Sequence, residues 1–133
     1  LTFALKWPQR VDRLILNGAN LAPSGVKPSV QIPIVLGYGL SAALARFSPQ
    51  AAHRAELLRL MVREPHIRPA ELARVPAPTL VIAGTDDMVR EKHTRLIAQS
   101  LPNAHLEIIP GDHFIARTHP EAFRQAVESF LLA

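Results

Sequence analysis

Cysteine is absent from this 133-residue chain, which excludes disulfides and thiolate metal sites. Aromatic residues are scarce, with one Trp, one Tyr and five Phe. The 15 Lys and Arg are scattered along the chain, and few rings are present to stack on bases. The formal charge of +4 therefore does not describe a nucleic-acid surface. Solvated arginines on helix faces account for it. No apolar run reaches the ~20 residues that span a bilayer. Leu1 to Leu5 is too short for the apolar core of a signal peptide. Neither a nucleic acid nor a membrane is expected as a partner, and the cytoplasm is the default compartment. His53, His66, His93, His105 and His119 show no metal-ligand spacing, no His-Glu-x-x-His occurs, and no cofactor is expected.

What is present is globular in character: 48% of residues are hydrophobic and 20% charged. The length fits one domain or one piece of a larger one. The chain starts at Leu1 rather than Met and enters directly into apolar sequence, so the expectation is that sequence upstream is missing.

Leu1 to Trp7 reads as the end of a helix stopped by Pro8. Arg13 to Gly18 is a short apolar run closed by glycine, as in a buried parallel strand. Ala22 to Pro33, with Pro23, Gly25, Pro28 and Pro33, reads as loop or broken structure. From Ile34 to Ile67 the pattern turns helical: Leu40, Leu44 and Phe47 fall on one face, as do Leu57, Leu58, Met61 and Val62. Ser48-Pro49 opens the second of these helices, and a short helix lies around Ala70 to Arg74. Phe47 and Met61 are expected in the core of this helical segment. Thr79 to Ala83 is a strand closed by Gly84. Glu91 to Leu101 is a helix with Leu96, Ile97 and Leu101 on one face. His105 to Ile109 is a third strand closed by Pro110-Gly111. Pro120 to Leu132 is the final helix, with Phe123, Val127, Phe130 and Leu131 as its stripe. Alternation of this length builds a parallel sheet with right-handed crossovers.

In open α/β sheets ligands bind beyond the carboxyl ends of the strands. After the second strand come Asp86 and Asp87, and after the third comes His113. Neighbouring strands lie ~4.8 Å apart, so their end loops emerge together. A carboxylate on one loop can take the Nδ1 proton of a histidine on the next, fixing the tautomer and leaving Nε2 free as a base. Singly, such an Asp is more often a helix cap or turn former, and such a His more often a solvated or core residue. At adjacent strand ends, the two together point to an acid–base pair. His93, on the helix after the acid loop, reads as solvated. Glu64-Pro-His66 reads as a helix-terminating turn, with a place at a substrate entrance as the alternative.

The stretch Pro8-Gln-Arg-Val-Asp-Arg-Leu-Ile-Leu-Asn-Gly18 resembles the approach to the sixth strand of α/β-hydrolases. Pro78 to Asp87 resembles the seventh strand and acid loop. Ile108-Ile-Pro-Gly-Asp-His-Phe114 resembles the eighth strand and histidine loop, and Pro120 to Phe130 the closing helix. The resemblance covers nearly the whole chain. It implies an α/β fold: the C-terminal part of an α/β-hydrolase parallel sheet, strands six to eight, with a helical cap insertion. Residues 1–21 would be the end of the nucleophile helix with strand six, 22–75 the cap, and 76–133 strands seven and eight with the closing helices. The family places the acid three residues after the glycine, which selects Asp87 over Asp86 as the catalytic acid, with His113 as the base. One departure is visible: only Asp112, rather than two residues, separates Gly111 from His113, and it sets a second carboxylate beside the ring.

The family nucleophile sits in Gly-x-Ser-x-Gly, and no such motif occurs here. Ser24 and Ser29 fall in the proline-rich stretch, and Ser48 looks like a helix cap. Ser41, in Gly37-Tyr-Gly-Leu-Ser-Ala-Ala43, mimics an elbow but lies in the cap segment, and Pro33 argues against a central strand before it. The resemblance therefore implies a carboxylesterase-like serine hydrolase acting on a small ester-like substrate. Its serine would lie a few residues before Leu1, and the 133 residues alone would be inactive. The alternative is a non-catalytic binding or oligomerising fragment on the same fold, self-associating through the open edge of the strand containing Leu14 to Leu16.

Overall fold

In a computed structural model, which describes residues 1–133, nine regular elements alternate as the sequence pattern indicates. They are α1 (Thr2–Lys6), β1 (Leu14–Asn17), α2 (Pro28–Leu44), α3 (Pro49–Arg63), β2 (Thr79–Gly84), α4 (Glu91–Ser100), β3 (Ala104–Ile109), α5 (Ile115–Thr118) and α6 (Pro120–Leu132). Short 3-10 stretches at Pro8–Arg10, Pro23–Gly25 and Pro69–Arg74 join them. The three strands form one parallel sheet in the order β1-β2-β3, with Leu14 opposite Thr79 and Thr79 opposite Ala104.

The central strand β2 is buried at every position, and its side chains alternate between two apolar layers. Val81 points to one side, with Leu16, Leu72, Val75, Ile97 from α4 and Leu101 directly after it. Leu80 and Ile82 point to the other, with Ile109, Ile115 and, from α6, Phe123, Val127 and Phe130. Burying a Leu or Ile side chain contributes ~1.5–3 kcal/mol, so these two layers hold the strand ends in register. Leu96 and Leu131, expected in the core stripes, are instead 38% and 46% exposed at the margins of those layers.

The helical segment departs from its sequence pattern. Residues 28–33 are helix, not loop. Pro28 occupies the first turn, where its fixed φ suits a helix start, and Val30 and Gln31 donate back to the Lys27 carbonyl. Pro33 lies inside α2 and forfeits one backbone donor without ending the helix. Ser48 caps α3, its Oγ accepting from the Ala51 amide at 3.3 Å. The two helices pack on each other through small residues. Ser41 and Ala55 are the single buried residue of each helix, and a Cβ on Gly37 would touch Leu58 at 3.5 Å. This close seam turns the larger side chains outward. Leu40, Leu44, Phe47, Leu57 and Met61 are all exposed, so the expected core positions of Phe47 and Met61 are corrected. The hairpin is tied to the sheet at its base by an isolated antiparallel bridge between Val26 and Val89. No helix is long and apolar enough to cross a membrane.

Candidate active site

The loops that follow β2 and β3 are stitched together. The Thr85 amide donates to the Ile109 carbonyl at 2.9 Å, the Asp86 amide to the Gly111 carbonyl at 2.8 Å, and the Gly111 amide to Thr85 Oγ at 3.3 Å. A side chain at Gly84 would collide with the Gly111 and Asp112 backbone, so only glycine lets the loops close this far. The turn after β2 then carries Asp87 inward and Asp86 outward.

Asp87 is 3% exposed. Its Oδ1 accepts from the Val89 amide at 2.8 Å and lies 2.9 Å from His113 Nδ1. An ionised carboxylate has no proton to give, so Nδ1–H is the donor and Nε2 is left as a lone-pair base. The His113 side chain is 28% exposed, so the ring is held on one edge and reachable on the other. Gly18, at the end of β1, makes room for it: its φ is +55°, and a Cβ there would stand 2.6 Å from His113 Nδ1.

The two rival carboxylates are engaged elsewhere. Asp86 receives a 2.7 Å hydrogen bond from Lys27 Nζ, which, with the lysine charge, holds its pKa below the usual carboxylate value. Asp112 Oδ1 accepts from the Phe114 amide at 2.8 Å and the Thr118 hydroxyl at 3.4 Å, shaping its own turn. Of the two neighbouring carboxylates, Asp87 is the one that meets His113, and the shortened histidine loop still brings the ring to it.

No serine of the chain hydrogen-bonds to His113. Ser41 sits inside α2 at 6% exposure. Ser29, in the first turn of α2 rather than in a loop, lines a shallow hollow that includes His113 without bonding to it. His93 is not solvated as expected: its Nε2 accepts from the Leu21 amide at 2.9 Å and fixes the connection after β1. Burial, and secondarily the Arg90 charge, lower its pKa, which keeps the neutral accepting form.

Beside His113 a cleft of about 330 Å³ opens between the strand-end loops and the hairpin. Gly18, Met88 and Val89 line its strand-end wall; Gln31, Ile34, Met61 and Glu64 are among those on the helical wall. Glu64 is also the C-cap of α3, the helix-terminating turn expected there. Gln31 carried no sequence signal because its stretch reads as proline-broken. A larger hollow, about 560 Å³, lies between β3 and α6 against Ile109 and Phe130, but it holds neither His113 nor Asp87. No group of three His, Asp or Glu side chains is placed to hold a metal ion.

No family model matches the chain. It is 44% identical over 64 residues to the "Putative carbamate hydrolase RutD" of Pseudomonas syringae pv. syringae (strain B728a), a match covering 47% of this chain and 25% of that protein. It is 39% identical over 61 residues to a poly(3-hydroxyalkanoate) depolymerase of Ectopseudomonas oleovorans, covering 45% of this chain and 22% of that one. Among solved structures, a hydrolase from Pseudomonas aeruginosa PA01 superposes with a TM-score of 0.67 at 28% identity, covering 99% of this chain and 60% of the other. An alpha/beta fold family hydrolase from Bacillus anthracis str. Sterne superposes with a TM-score of 0.72 at 15% identity, covering 97% and 62%. The chain therefore spans about three fifths of those structures and matches about a quarter of the curated relatives.

Proposed function

We propose that this chain, which belongs to the α/β-hydrolase superfamily, supplies the acid and the base of a serine hydrolase, Asp87 and His113. The observation that carries the reading is the 2.9 Å contact between a buried carboxylate and the inner nitrogen of a half-exposed imidazole. The nucleophilic serine comes from outside these 133 residues, since none within them bonds to His113. Residues 22–75 act as a cap on a core formed by 1–21 and 76–133.

The chemistry follows from the pair. His113 Nε2 takes the proton from the serine Oγ as that oxygen attacks the acyl carbon. Asp87 orients the ring and stabilises the imidazolium without itself taking the proton. The proton on Nε2 then passes to the leaving alcohol or amine, and water repeats the sequence to free the acid. Esters are the substrate class we assign. The relatives named for carbamate and for poly(3-hydroxyalkanoate) cleavage support an attack at a carbonyl carbon.

Expressed with whatever precedes Leu1 in its coding sequence, the protein should hydrolyse p-nitrophenyl butyrate. His113→Asn or Asp87→Asn should then lower kcat by on the order of 10³–10⁴-fold. Ser29→Ala and Ser41→Ala should leave it unchanged. Turnover indifferent to His113→Asn, or lost with Ser41→Ala, would defeat the assignment. The 133 residues alone should show no turnover.

A second reading rests on β1, which pairs only with β2 and leaves its other edge open. Such an edge is a template for another strand, and a second copy of this chain would fill it. Light scattering of the 133-residue chain should then give a dimer; a monomer at high concentration removes this reading.

A further inference from the structure

The sheet has a second open edge, because β3 pairs only with β2. The Thr79 amide donates to the Asn103 carbonyl at 2.8 Å, and the Thr85 amide to the Ile109 carbonyl at 2.9 Å. Successive residues of a pleated strand turn their backbone groups to opposite neighbours. Asn103, His105, Glu107 and Ile109 therefore serve β2, while Ala104, Leu106 and Ile108 direct their amides and carbonyls outward, where no other part of the chain bonds to them.

Native sheets blunt such edges with proline, lysine, a bulge or a covering helix. Ala104–Ile109 contains neither proline nor lysine, and its ladder with β2 runs one-to-one without a bulge. α6 does not close over it. The hollow of about 560 Å³ lies between them, and the small side chains Ala122, Ala126 and Ser129 line it. His105 and Glu107 stand on this side of the strand, 66% and 40% exposed, with His105 Nε2 3.3 Å from Glu107 Oε2.

These two side chains make the edge self-complementary. Let the β3 of a second copy lie antiparallel to it, with Leu106 facing Leu106 on the two-fold axis. Ala104 then falls opposite the partner's Ile108, and the outward amides and carbonyls pair. Between those bonds, where side chains of opposed residues stand closest, His105 meets the partner's Glu107 and Glu107 meets the partner's His105. Even a neutral imidazole donates one N–H to a carboxylate. Moving the axis by one residue keeps the backbone directions compatible but loses this match. It sets His105 against His105 or Glu107 against Glu107, and like charges directly opposite are destabilising.

We propose that the free edge of β3 is a homodimer interface, in which two copies of the chain join their sheets by antiparallel pairing about Leu106. The surface is separate from the β1 edge, and neither His105 nor Glu107 lines the His113 cleft, so the proposal is independent of the acid–base reading.

Two charge variants of the 133-residue chain test it. In His105→Glu, carboxylates oppose each other across the axis; in Glu107→Lys, an ammonium opposes an imidazole. Sedimentation equilibrium should give a dimer for the wild type, and each variant alone should dissociate about tenfold more readily or beyond. An equimolar mixture of the two variants should recover the wild-type affinity and appear as heterodimers in native mass spectrometry, because each carboxylate then meets a basic group. Mixing does not repair a variant that has merely failed to fold. A wild type that stays monomeric at high concentration overturns the proposal. Dimers that persist in both variants belong to another surface, such as the β1 edge, and also overturn it. A mixture that associates no better than its components overturns the pairing about Leu106.

Discussion

β2 and the α2–α3 hairpin are both rich in apolar residues, yet they differ in what covers them. β2 lies between two helical layers and is buried along its whole length. The hairpin comprises helices of 17 and 15 residues, and each buries a single residue. Apolar sequence thus becomes core only where a second layer is present to receive it. The candidate site lies on the boundary between these regimes. Its acid and base stand on the well-covered strand ends, and much of its cleft wall stands on the sparsely covered hairpin.

The contrast can be broken at either end. Leu80→Ala removes a fully buried side chain of β2 and should cost ~2–5 kcal/mol, whereas Leu40→Ala on the exposed face of α2 should change stability by no more than ~0.5 kcal/mol. Urea denaturation of the two variants measures the difference, and comparable losses would mean that the hairpin carries hidden core. Gly18→Ala should cost ~1–2 kcal/mol for the left-handed backbone alone. It should also move the His113 ring, seen as displaced imidazole signals; an unmoved ring would show that the strand end has slack.

A smaller, pH-linked effect comes from His93, which ties the β1 connection to α4. Its folded-state pKa is depressed below 6.5, first by burial and then by Arg90. The unfolded chain therefore binds this proton first as pH falls. The contribution is full above 6.5 and declines as pH drops from there towards the lower folded-state value. Between about pH 7.5 and 5.5 the wild type should lose more stability than His93→Gln, which still accepts a hydrogen bond but does not titrate; parallel losses would exclude His93 as the source. The smallest effect belongs to Asp86, whose side chain is 88% exposed beside Lys27. Asp86→Asn should leave the unfolding midpoint in place and leave turnover in the ester assay of the proposed function unchanged, in contrast to Asp87→Asn.

The strands and the Asp87–His113 pair were legible because each strand is a short apolar run closed by glycine, and each run delivers its chemistry to the next loop. Local sequence and tertiary burial agree there. The hairpin was less legible. Pro28 and Pro33 read as breakers, although one starts a helix and the other costs it a single donor. Leu40, Leu44 and Phe47 have core spacing, but the seam runs instead past Gly37, Ser41 and Ala55, whose small size sequence periodicity does not weigh. His93 and Gln31 gave no signal because their surroundings are assembled from distant parts of the chain, with His93 reaching Leu21 across 72 residues.

The stitching of the two strand-end loops involves only residues between Thr85 and Gly111. None of those bonds reaches into the hairpin, so drift within 28–63 can accumulate without altering the distance between acid and base. On the proposed reading, ligand preference and acid–base chemistry would then change separately, and a laboratory library confined to the hairpin would vary the cleft wall around an unaltered Asp87–His113 contact.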